Sequence, residues 1–120
     1  MSINIEARKI LRSKYPFVKE LSFHDGWLPL VSEMLTQLVD NGYDPERDEY
    51  WQIKEKFGEL CVYMSIDDPT SDRAKKLYAI MRDTEKRATG VCEYCGKEGQ
   101  LRVIGGWYFT ACEEHADRPE

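Results

Sequence analysis

The chain has 120 residues, is 42% hydrophobic and 12% aromatic, and carries a formal charge of −5 with a pI near 5.1. That size and apolar content fit one domain with a single core, stable without depending wholly on metal or disulfides. The acidity argues against general affinity for phosphate backbones, and no run approaches the ~18 apolar residues of a membrane helix.

The start, Met1-Ser2-Ile3-Asn4-Ile5, lacks a charged-then-apolar targeting pattern, so a soluble cytoplasmic protein is expected. Residues 3–15 place Ile3, Ala7, Ile10 and Leu11 at helical spacing with Arg8, Lys9 and Arg12 between them. Tyr15-Pro16 ends that helix, because proline disfavours helical backbone in the residue before it. A second helix is expected from about Trp27, with Asp25 as its cap, Pro29 tolerated in the first turn, and Val31, Met34, Leu35, Leu38 and Val39 facing inward. Asp40-Asn41-Gly42 suits a left-handed C-terminal cap.

An acidic loop over 43–50 leads into a strand in which Trp51, Ile53 and Glu55 alternate with Gln52, Lys54 and Lys56. Phe57-Gly58 suits a tight turn into a second strand, with Leu60, Val62, Met64 and Ile66 on one face and Cys61 and Tyr63 on the other. After the break at Asp67-Asp68-Pro69-Thr70-Ser71, which offers several competing caps, a third helix carries Ala74, Leu77, Tyr78, Met81 and Ala88 on one stripe. Thr89-Gly90 closes it. The expected fold is α+β: helices packed on a small antiparallel sheet, followed by a treble-clef-like zinc module. One domain, 1–120, would then comprise a core over 1–90 (helix, helix, hairpin, helix) and a zinc-binding module over 91–120.

The module carries the strongest chemical signal. Cys92-Glu93-Tyr94-Cys95 and Cys112-Glu113-Glu114-His115 form two ligand pairs separated by sixteen residues, the spacing of a structural zinc site. Four protein ligands close the tetrahedron, so one zinc ion would hold structure without activating a substrate water. Leu101, Val103, Trp107 and Phe109 flank Gly105-Gly106, a dipeptide that favours a two-residue hairpin turn. The hairpin returns the chain to Cys112, three residues before His115 on a short helix that Pro119 should stop.

Other residues are read more plainly. His24-Asp25 fits capping or packing better than acid–base catalysis, and Cys61 fits a small buried thiol. Trp107 and Phe109 are expected to pack, whereas Tyr108 on the opposite face is a candidate for partner recognition together with Arg102, Lys54 and Lys56. The default for those lysines, and for the basic positions of the third helix, is a solvated surface.

Lys54-Glu55-Lys56-Phe57-Gly58-Glu59-Leu60, Cys92-Glu93-x-Cys95-Gly96, Leu101-Arg102-x-x-Gly105-Gly106-Trp107 and Cys112-x-x-His115, in that order, resemble a family of short phage and prophage proteins over roughly 20–117. The resemblance implies a virus of bacteria as the setting, where small acidic proteins bind and block host proteins, and it implies no catalytic residues. The leading expectation is therefore a non-enzymatic protein that binds a bacterial host protein, including a component of an antiviral defence system. The alternative is a zinc-finger nucleic-acid binder. A treble-clef nuclease is disfavoured, since residues 97–111 contain no histidine to act on a substrate.

Overall fold

A computed structural model describes residues 3–117 of the chain. Three helices and two small sheets form an α+β fold. Helix α1 covers Ile5–Lys14, with the Asn4 side chain accepting the Ala7 N–H as its cap. Of its expected inner stripe only Leu11 is buried, and Ile10 stays exposed. Arg8 turns inward instead. Its guanidinium donates to the carbonyls of Leu21 and Phe23 and pairs with Asp25. Three acceptors offset the cost of burying the charge, so α1 is clipped to the body by an arginine rather than glued by an apolar stripe.

Strand β1, Leu21–Ser22, runs parallel to the next strand and makes the first sheet mixed rather than wholly antiparallel. Two residues are too few to show a sequence period. A short 3₁₀ turn, Asp25–Trp27, precedes α2, Leu28–Asp40. The expected cap role of Asp25 is redirected: its carboxylate takes the Asn4 N–H and Arg8, tying the start of α1 to the entrance of α2. Val31, Met34, Leu35 and Leu38 are buried as their spacing requires, whereas Val39 lies outside the stripe and is exposed.

Strand β2 covers Glu49–Lys56 and pairs antiparallel with β3, Glu59–Ser65, across the Phe57-Gly58 turn. A β-bulge between Tyr50 and Gln52 resets the alternation, so Tyr50 and Ile53 face the core and Trp51 faces solvent. An uninterrupted two-residue period had placed Trp51 and Ile53 together, and an inserted residue reverses that phase. Beyond the bulge, Leu60, Val62, Met64 and Ile66 are all buried, and Cys61 is half-buried.

Helix α3, Asp72–Ala88, is capped by Ser71. It packs against α2 and β3 through Ala74, Leu77, Met81 and Ala88. Polar side chains of α3 also occupy the outer edge of β3. Glu85 accepts the Val62 N–H, Arg82 donates to the Val62 carbonyl, and the Tyr78 hydroxyl accepts the Ile66 N–H. The core between sheet and helices contains Trp27, Met34, Leu35, Leu38, Ile53, Leu77 and Met81, all essentially without solvent contact. Strands β4, Gln100–Ile104, and β5, Trp107–Ala111, form the second sheet. No helix among the described residues is long and apolar enough to cross a membrane.

Candidate metal centre

The centre is assembled by three local devices. At the end of α3 a bridge between Val91 and Glu98 closes a knuckle, in which the Cys92 N–H donates to the Lys97 carbonyl and the Gly96 N–H to the Cys92 carbonyl. The chain then enters the β4–β5 hairpin, whose turn needs two successive residues at positive φ; Gly105 and Gly106 sit at 57° and 85°. Finally a 3₁₀ turn, Glu113–His115, follows Cys112, with the His115 N–H donating back to the Cys112 carbonyl. The expected helix start is thus a single turn, and the stop assigned to Pro119 lies outside the described residues.

These devices bring the Sγ atoms of Cys92, Cys95 and Cys112 and a ring nitrogen of His115 within 4.8 Å of one another, a set able to hold one metal ion. The Cys95 and Cys112 sulfurs are 3.6 Å apart, and His115 Nδ1 lies 3.2 Å from Cys112 Sγ and 3.7 Å from Cys92 Sγ. A tetrahedral ion with metal–sulfur bonds of ~2.3 Å and metal–nitrogen bonds of ~2.0 Å requires ligand-to-ligand edges of about 3.5–3.8 Å. The three edges given, from 3.2 to 3.7 Å, lie around these values, and Nδ1 is the nitrogen that faces Cys92 and Cys112. A disulfide would need sulfurs ~2.0 Å apart, and all four cysteines are free thiols. Burial disfavours the Cys112 thiolate, yet hydrogen bonding from His115 and the neighbouring sulfurs holds this thiol down at about 6. Burial and the neighbouring thiols push Cys95 up to about 11.

The knuckle is docked on the body through the segment before α2. The Gly26 N–H donates to the Glu93 carbonyl, and a Cβ at Gly26 would stand 2.1 Å from the Cys92 carbonyl oxygen. Only glycine permits that approach. Trp27 Nε1 donates to the Val91 carbonyl, and the buried Glu93 carboxylate accepts the His24 N–H and meets His24 Nδ1 at 3.0 Å. His24 and Asp25 therefore serve different partners and do not converge on one point, in line with packing roles. Glu93 was not singled out in the sequence, where it reads as one more acidic residue between two ligands.

The residues expected to meet a partner are only partly brought together. Tyr108 is half-exposed and touches the Phe57 ring edge-on at 6.4 Å. Glu55, Lys56, Phe57, Gly106, Trp107 and Tyr108 line a groove of about 370 Å³ between the turns of the two hairpins. Lys54 lies farther along β2 opposite Cys61, outside this groove. Arg102 is tied down, its Nε donating to the Ala111 carbonyl and its Nη2 lying 3.8 Å from Glu113. Phe109 is buried as expected, but Trp107, expected to pack, is 65% exposed. The reason is length: only the base of the hairpin, Phe109 to Ala111, reaches the knuckle, and the turn projects past it. On α3 the three arginines are committed, Arg73 to Asp48, Arg82 to Glu85 and Arg87 to Glu33, whereas Lys75, Lys76 and Lys86 are exposed.

The chain matches no protein-family model, no curated protein and no solved structure.

Proposed function

We propose that the chain is a non-enzymatic recognition protein in which a structural zinc ion stiffens the β4–β5 hairpin, and that the aromatic groove between the two hairpin turns binds a protein partner. The observation that carries this reading is Phe57. It is 69% exposed and stands at a φ of 53°, where a bulky side chain costs ~1–2 kcal/mol and asparagine or glycine would fit freely. Neither core packing nor solubility accounts for an exposed ring held in a strained turn, whereas an aromatic anchor for a partner does. Tyr108 and Trp107 extend the same surface, and Lys56 and Glu55 supply a charged rim.

Zinc fits three thiolates and one imidazole on a closed tetrahedron, which offers no site for a substrate and so favours scaffolding over catalysis. The likeness to phage and prophage proteins supplies the setting: a bacterial cytoplasm, a host protein as the partner, and inhibition of an antiviral defence component as the outcome. The commitment of the α3 arginines to acidic partners favours a protein target over a nucleic acid.

Native mass spectrometry of the purified chain is expected to show one zinc ion per chain; a metal-free native species, or stoichiometric loading with another metal, would overturn the zinc assignment. Immobilised wild-type chain is expected to capture a discrete protein from bacterial lysate, and Phe57→Asn to lose it while gaining about 1 kcal/mol of stability. Capture of nucleic acid without protein, or capture unaffected by Phe57→Asn, would sink the groove.

A further inference from the structure

Where the end of the first sheet meets the knuckle, a pocket of about 400 Å³ opens beside the aromatic groove. Two carboxylates line it. Glu93 does so with a side chain only 4% exposed, and His24 fixes one of its oxygens, Oε2, through both the backbone N–H and Nδ1. Glu55, half-buried near the end of β2, lines it as well, and its Oε2 accepts the Gly58 N–H. The second oxygen of each, Oε1, receives no hydrogen bond among the described residues. A carboxylate withdrawn from water is costly unless a donor replaces the lost hydration, so this pair of acceptors points to a ligand that brings donors.

Arg8 and Arg12 also line the pocket, but both are engaged elsewhere. Arg8 commits its terminal nitrogens to the Leu21 and Phe23 carbonyls and to Asp25, and Arg12 Nε donates to the Lys19 carbonyl. Burial lifts the Glu55 carboxyl above its ordinary value; the Gly58 donor opposes that shift, and the charge of Glu93 adds to it. Two like charges held near each other are relieved by an incoming cation. The remaining wall is apolar, formed by Leu21, Phe23 and the exposed Ile5. Glu55 lines both this pocket and the groove of Phe57, Trp107 and Tyr108, so the two surfaces adjoin.

We propose that this pocket receives an arginine side chain of the protein partner, its guanidinium held by Glu55 and Glu93, while a neighbouring apolar residue of the same partner fills the aromatic groove. The inference rests on the protein-partner reading above and names the chemistry of that partner. An arginine satisfies both halves of the pocket: its aliphatic stem lies on Ile5, Leu21 and Phe23, and its head meets the carboxylates. Guanidinium fits better than ammonium, because its planar fork carries five donors, can serve two acceptors at once and is more weakly hydrated. The net charge of −5 steers a basic surface toward the chain.

The probe is N-acetyl-L-arginine amide, titrated into the isotope-labelled, zinc-loaded full chain and followed by NMR. The amide signals of His24, Glu55 and Glu93 are expected to shift and saturate, and the neutral isostere N-acetyl-L-citrulline amide to leave them in place. Glu55→Gln keeps an oxygen for the Gly58 N–H but removes a charge, and is expected to weaken binding about tenfold. Ile5→Lys sets a competing cation at an exposed position on the rim and is expected to weaken it likewise, so it decides alone should Glu55→Gln misfold. No saturation with the arginine amide, equal binding of the citrulline amide, or tighter binding of the corresponding lysine amide overturns the proposal. The partner reading fails separately. A protein captured from lysate by wild type and lost by Phe57→Asn, yet retained by both pocket variants, keeps the groove and overturns the pocket. Saturable arginine binding with no protein captured overturns the partner and with it the source assigned to the arginine.

Discussion

Single residues in this fold show where polar groups are used and where they are stranded. Arg8 is buried with its two terminal nitrogens engaged three times over, whereas its Nε and the Tyr43 hydroxyl are buried with no hydrogen-bond partner among the described residues. Burial, helped by Asp48 and Glu49, pushes that phenol up to about 12, and its ring packs on Phe17 at 4.4 Å. The ring contributes packing and the oxygen contributes a desolvation cost of ~1–3 kcal/mol. Tyr43→Phe should therefore leave the urea-unfolding free energy unchanged or raise it by about 1 kcal/mol. A loss of stability on that substitution would mean that the hydroxyl has a partner after all.

At the scale of elements, the hairpin and the knuckle depend on each other. The β4–β5 hairpin has no broad apolar face against the main core, so its position rests on the small buried cluster of Cys92, Tyr94, Phe109, Ala111 and Cys112, on the Cys3His set beside it, and on Thr110, whose hydroxyl donates to the Gly58 carbonyl. Two-stranded hairpins are marginal by themselves, and structural metal binding is coupled to local folding. Replacing Cys95 by Ser should raise amide exchange first across residues 91–117, by at least tenfold, while α2 and α3 keep their protection. Uniform loss of protection over the whole chain would show that the module is not a separate unit of stability. The edge of β3, by contrast, is closed by side chains of α3 and requires no metal.

Across the whole molecule, Asp48 joins three segments. Its carboxylate accepts the N–H groups of Asp44 and Asp67 and receives a two-pronged contact from Arg73 at 2.7 and 2.8 Å. Burial opposes ionisation, but Arg73 and the two backbone donors outweigh it and bring Asp48 from 3.8 down to about 2. A depressed acid stabilises the fold fully above its unfolded value and ceases to do so as pH falls through its folded value, so the contribution fades between about pH 4 and about pH 2. The shift corresponds to about 2 kcal/mol. The difference in urea midpoint between wild type and Asp48→Asn should be constant near neutrality and shrink across that window; a gap independent of pH would refute the linkage. In the sequence this aspartate is one of several acids in the 43–50 loop, and nothing local sets it apart.

What could be read from residues alone was whatever depends on near neighbours. The ligand pairs Cys92/Cys95 and Cys112/His115, the glycine turn at 105–106, the stripes of α2 and α3 and the face of β3 all follow from spacing. Tertiary structure decided the rest. The bulge that turns Trp51 outward, the burial of Arg8 and Glu93, the entry of Gly26 against the knuckle and the exposure of Trp107 each depend on a partner about fifteen to seventy residues away, or on how far a hairpin projects beyond its support. Periodicity records which side of an element is apolar, but it carries no information about which acceptor, backbone or open space that side will meet.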